Sequence, residues 1–214
     1  RPWSAYPYLS PEFLDTIEIP KETPEPKKYA VITVGTTTPS RTIKGEYWNH
    51  VIEYVHALGL QPVFLGKTLV ETGNARNIHT EWSKEIRYDL GVDLRDKTTL
   101  MQAAAIMSKA AVVIGHDNGL LHLAGCTDTK IVFGYNLASP KHRRPIRPTG
   151  NVYDVILEDG ELACYNCQSK TNFVIGMNYR NCFYNDLLCM DKLFDNKAAR
   201  WKKQIDLALT SSSV

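Results

Sequence analysis

Asp117, Asn118, Gly119 and His122 fall within one short stretch, 111–125 (AVVIGHDNGLLHLAG), where an apolar run at 111–114 passes through a polar break at 115–119 into a second apolar run. The pattern predicts a strand, a turn and the first turns of a helix. A helix start leaves backbone N–H groups unpaired and carries partial positive charge, so the loop 116–119 suits an anion or a sugar hydroxyl. Gly119 permits close approach to the backbone, and the N–H groups of Asn118 and Gly119 are candidate phosphate donors. Asp117 would repel a phosphate, which assigns it to a sugar hydroxyl or to a neighbouring loop. His122, one turn into the helix, either helps with phosphate charge or braces the loop. A plainer reading stays open, in which Asp117 or Asn118 only caps the helix and His122 is a core histidine.

Three further groups could carry chemistry. Thr37, Thr38 and Lys44 lie in 35–45 (GTTTPSRTIKG), and a lysine beside hydroxyls suits phosphate, the alternative being a solvated turn. Arg143, Arg144 and Arg147 stand in the basic cluster 141–147, where they could clamp phosphate or meet an anionic acceptor, or simply be solvated. Cys164, Cys167, Cys182 and Cys189 are spaced C-x2-C-x14-C-x6-C. The leading pair suits a structural zinc knuckle, the closing pair is wider than ordinary zinc spacing, and disulfides or free thiols fit as well.

Positioning these loops requires alternating strands and helices. Strands are predicted at 29–34, 61–65, 112–114 and 130–133, and helices at 46–58, 99–110 and from 120 to 125. This is an α/β chain with a mostly parallel sheet flanked by helices, and the loops after Val34, Leu65, Ile114 and Phe133 share one rim. Residues 1–28 hold six prolines and read as an arm or interdomain linker; 154–191 is an irregular Cys-rich segment, and 192–214 a terminal helix and tail. Trp48 and Trp82 are expected in the core, and Cys126 is expected as a buried thiol. At 214 residues with 43% hydrophobic content the chain can bury a large core, and its net charge of +2 demands no nucleic acid. No apolar run reaches the roughly 20 residues that span a bilayer. The start at Arg1 in a proline-rich arm suggests an upstream segment.

With its loops assembled, the sequence resembles the ADP-heptose:lipopolysaccharide heptosyltransferases of glycosyltransferase family nine, over the C-terminal, nucleotide-sugar-binding half of their two-domain GT-B architecture. The resemblance rests on the strand and Thr-rich loop at 31–38, on Lys44 and Trp48, on Asp117-Asn118-Gly119-Leu120-Leu121-His122-Leu123, and on the closing cysteines. Asn118 stands where the family has Ser or Thr. The resemblance implies a Rossmann-like donor-binding domain over 29–153 of an inverting, metal-independent enzyme. Its donor would be a nucleotide sugar, its acceptor a glycan or lipopolysaccharide-type molecule, and no catalytic cofactor would be required. It places the protein in the cytoplasm, at the inner face of the membrane. The catalytic base is expected in an N-terminal half missing from this chain, and the ribose-binding acid among Glu81 and Glu85. A non-catalytic nucleotide-sugar-binding module, or another GT-B enzyme such as a sugar-nucleotide epimerase, remains an alternative.

Overall fold

In a computed structural model, which describes residues 7–35, 41, 43–68, 85–147, 150–167 and 187–211, six parallel strands form one sheet in the order β3-β2-β1-β4-β5-β6. The central strands are β1 (Tyr29–Thr33) and β4 (Val112–His116), each buried along its whole length, as expected where helices cover both faces of a parallel sheet. They pair in register from Ala30 opposite Val112 to Thr33 opposite Gly115. β2 (Gln61–Phe64) and β5 (Ile131–Gly134) flank them, and β3 (Val92–Asp93) and β6 (Val152–Val155) form the edges.

Two apolar layers hold the helices to the sheet. On one face α2 (Gly45–Ala57) buries Trp48, Val51, Ile52 and Val55, a three-to-four spacing that gives one apolar stripe, and Gly59 turns the chain at φ 78° after the helix. Beside it lie α6 (Leu188–Leu193) and α7 (Asp195–Thr210), whose Trp201 sits edge-on to Trp48 at 5.4 Å and stacks on Phe194 at 4.9 Å. On the other face α3 (Leu100–Lys109) starts at Thr99, which forms a capping box with Gln102. With α4 (Gly119–Ala124) it supplies Ile106, Met107, Leu121 and Ala124 to the second core.

The described part of the proline-rich arm, 7–28, packs against this second layer. Pro11 opens a short helix, α1 (Pro11–Asp15), capped by Ser10, and Leu14 is buried against Ala104 and Ala105. The N–H of Leu9 donates to the Cys126 carbonyl at 2.7 Å, and the Lys27 ammonium to that of Ala110 at 3.0 Å.

Candidate functional site

The strand order reverses its winding between β1 and β4, and ligands of such sheets sit at the carboxyl ends of the strands beside that reversal. Asn118 spans it. Its Oδ1 accepts from the N–H groups of Leu120 and Leu121 at 3.0 and 3.1 Å, capping α4. Its Nδ2 donates to the carbonyl and Oγ1 of Thr33, at 3.2 and 3.1 Å, at the end of β1. The capping offered by the plainer reading of this loop is therefore carried by the Asn118 side chain. It occupies two of the N–H groups at the helix start. The approach depends on Gly115, where a Cβ would lie 2.1 Å from Thr33 Oγ1 and 2.4 Å from Leu121 Cδ2.

Asp117 gathers three side chains from three elements. Its side chain is 7% exposed. Arg41 Nη1 lies 3.3 Å from Oδ2 and 3.3 Å from the Asp117 carbonyl, Arg143 Nε 3.7 Å from Oδ2, and His122 Nε2 3.4 Å from Oδ1. Burial raises the Asp117 pKa, but His122, Arg41, Arg143 and His116 together outweigh it and hold the carboxyl below its ordinary value. The carboxylate is thus ionised at neutral pH, and two permanently charged guanidinium groups leave the cluster with an excess of positive charge. Arg143 comes from α5 (Pro140–Arg143), which follows β5 on the same rim. Arg41 was not singled out in the sequence: a lone arginine in a polar loop carries no periodic signal, although it lies three residues before Lys44.

The other expected site residues distribute as follows. His122 is 41% exposed on its side chain and edge-on to Phe133, so it is not a core histidine. Lys44 leads into α2, with its ammonium 3.9 Å from Asp191 Oδ1, 4.0 Å from Glu46 Oε1 and 5.4 Å from the centre of the Tyr47 ring. These contacts join α2 to α6, and the Tyr47 hydroxyl also donates to Asp191 at 2.7 Å. Arg144 turns away from the cluster, donating to the Val152 carbonyl and placing Nε 3.4 Å from Asp154, which fastens α5 to β6. The Glu85 carbonyl accepts from Asn49 at 2.8 Å. Thr37, Thr38, Glu81, Trp82 and Cys182 lie outside the described residues. Among the described residues no disulfide joins Cys164, Cys167 and Cys189, and no three His, Cys, Asp or Glu side chains are grouped to hold a metal. Cys126 is partly buried, its thiol bonded to the His122 carbonyl.

The family model described as glycosyltransferase family 9 (heptosyltransferase) matches residues 12–174, well over half of the chain. The chain belongs to glycosyltransferase family 9. Solved structures of this family share its α/β fold. Over 91% of this chain and 49% of the other, it matches the bacterial iron-containing dodecameric glycosyltransferase TibC from enterotoxigenic E. coli H10407, with a TM-score of 0.67 at 19% identity. The TibC complex with ADP-D-beta-D-heptose matches over 89% of this chain and 47% of that one, with a TM-score of 0.65 at 20% identity. E. coli heptosyltransferase WaaC with ADP matches over 67% of this chain and 41% of that one, with a TM-score of 0.52 at 19% identity. The family 9 chain thus spans about half the length of the TibC structures. No curated protein matches the sequence. Among the described residues, no helix is long and apolar enough to cross a membrane.

Proposed function

We propose that this family 9 chain is the donor-binding half of a glycosyltransferase that moves a heptose-like sugar from a nucleoside diphosphate to a glycan or lipopolysaccharide-type acceptor. The observation that carries the reading is the excess of positive charge formed by Arg41 and Arg143 around one buried carboxylate, at the β1–β4 reversal. Breaking the glycosidic bond to a diphosphate leaves negative charge on the leaving group, and fixed cations and N–H donors stabilise it. Arg41, Arg143, His122 and the N–H of Gly119 would face that diphosphate. Lys44 would join them by leaving Asp191, which it meets at 3.9 Å, while Thr37 and Thr38 would add hydroxyl donors. Asp117 would order the two loops that carry the arginines, and Asn118 would hold the β4 loop against β1. The acceptor site and the catalytic base are assigned to a companion domain of the two-domain architecture.

TibC is described in complex with ADP-D-beta-D-heptose and WaaC with ADP, so adenosine diphosphate is the first ligand to test. Calorimetric titration of the chain with ADP, GDP and UDP is expected to show binding of at least one of them, with ADP preferred; a chain that binds none of the three contradicts the reading. Lys44→Ala is expected to weaken that binding by about 1.5–3 kcal/mol, the range for a hydrogen bond to a charged group. Unchanged affinity would remove Lys44 from the site.

The cysteine set is a separate proposal. The spacing of its leading pair, Cys164 and Cys167, suits a metal held by thiolates, TibC is described as iron-containing, and the set is complete only with Cys182. Elemental analysis of protein purified under reducing conditions is expected to find one equivalent of zinc or iron per chain. A folded, metal-free sample would end that proposal.

A further inference from the structure

Arg143 is held at Asp117 differently from a bidentate ion pair elsewhere among the described residues. Arg95 meets Asp93 through two hydrogen bonds, Nε to Oδ1 at 2.9 Å and Nη2 to Oδ2 at 2.7 Å, and lies 3.6 Å over the Tyr88 ring. Charge-assisted bonds of that length are the strong ones. Arg143 reaches Asp117 only at 3.7 Å, from a side chain 44% exposed, whereas Arg41 meets both the carboxylate and the carbonyl of Asp117 at 3.3 Å. The carboxylate itself has little freedom, because it is buried and the next residue, Asn118, is tied to Thr33, Leu120 and Leu121 by four hydrogen bonds. Arg143 rides on the last residue of a four-residue helix. A fixed anion therefore meets Arg143 over a long contact that a stronger anion can replace.

We propose that Asp117 is an internal competitor of the donor's diphosphate: it and the diphosphate contend for Arg143, so that the carboxylate restrains donor binding. The inference rests on the reading of this rim as the nucleotide-sugar site. A diphosphate carries more negative charge than one carboxylate and presents several oxygens to a planar guanidinium, so it can draw Arg143 from its long contact. The carboxylate then remains close to the bound phosphates and repels them. Asp117 sets a threshold on ligand charge, disfavouring singly charged phosphate esters and admitting diphosphates. The role differs from that of a sugar-hydroxyl ligand, which would act on the sugar and leave the affinity for a bare nucleotide unchanged.

The test is ADP titration of the whole chain and of Asp117→Asn, which keeps the shape and removes the charge. Affinity is expected to rise about fivefold, the scale of one unit charge a few ångströms away in well-solvated surroundings. If the parent chain binds ADP and the variant binds it equally or more weakly, the competition is refuted while the donor-site reading stands. If neither binds ADP, GDP or UDP, the donor-site reading fails and this inference with it. A measurement on the unsubstituted chain guards against a variant that does not fold. The Nε–H resonance of Arg143, assigned through Arg143→Gln, is expected to shift when a bound nucleotide diphosphate is added. A resonance that stays in place would refute the competition.

Discussion

Replacing Trp201 with alanine is expected to lower stability by about 3–5 kcal/mol, the range for deleting a fully buried large aromatic side chain. Trp201 is completely buried and lies where three parts of the structure meet. It stacks on Phe194, meets Trp48 of α2 edge-on, and fits against β5 at Gly134, where a Cβ would come within 2.4 Å of the indole. The glycine is thus the space that the indole fills. Alanine at 201 would leave a cavity bounded by strand backbone and by two aromatic rings, neither of which can collapse into it without moving a helix. The loss is large beside the roughly 5–15 kcal/mol that holds an ordinary domain together. Denaturant unfolding should show a lower midpoint with an unchanged slope, and a loss below about 1 kcal/mol would contradict the packing described. Trp201→Phe, which keeps a ring against Phe194, should lose less. The effect reaches the rim as well, because α6 and α7 hold Asp191, the partner of Lys44 and Tyr47.

How much of this architecture is readable from residues alone depends on whether a segment's own neighbours decide its structure. The runs YAVIT and VVIGH are buried on both sides, so they appear as continuous apolar stretches, and α2 and α3 show their spacing together with Gly59 and the Thr99 cap. The two edge strands behave otherwise. β3 is only two residues, Val92–Asp93, too short for any periodicity. β6 reads Val-Tyr-Asp-Val with its middle half-buried, and it crosses the expected boundary at 153, so the sheet continues into what the sequence assigns to an irregular tail. Val152, Tyr153, Val155 and Ile156, after the turn residue Gly150, are the β-formers that mark it. The terminal helix expected from about 192 begins earlier, at Leu188, and is broken at Phe194 and again at Asn196, Lys197 and Ala198, whose φ values of 47°, 54° and 61° are left-handed, before it runs on to Thr210. At the site, the strand-turn-helix form and the rim are local properties and are legible. The pairing of Asp117 with Arg41 and Arg143 is not, since it joins three loops that only the strand order brings together. Lys44 shows the same limit: its residue type is suggestive, yet its partner Asp191 belongs to a helix near the other end of the chain.

His116 makes the folded protein sensitive to mild acid. The last residue of β4, it is buried, opposite Gly134 in the pairing with β5, and its ring would lie 3.3 Å from a Cβ built on that glycine. Burial is the main cause that pushes its pKa down to about 4; Arg41 adds to the effect, while Asp117 and Asn136 oppose it. An unfolded chain takes up a proton on this imidazole near pH 6.5. Between that pH and about 4 the unfolded state therefore binds more protons than the folded one, and stability falls as the solution is acidified. The total loss across the window is about 3 kcal/mol, fully absent above it and complete below it. Asp117 contributes in a separate range. Its lowered pKa gives stability that is present above the ordinary carboxylate value and is lost only as pH falls further. Urea unfolding at intervals from pH 7 to pH 4 should resolve the first window. His116→Phe cannot take up the proton, so its stability should stay nearly level over that range whatever its absolute value, and a variant that retained the full slope would place the acid sensitivity elsewhere. A neutral imidazole behind Asp117 also matters for the site. It leaves Arg41 and Arg143 as the permanent cations around the carboxylate at neutral pH, so the charge offered to a diphosphate rests on those two side chains.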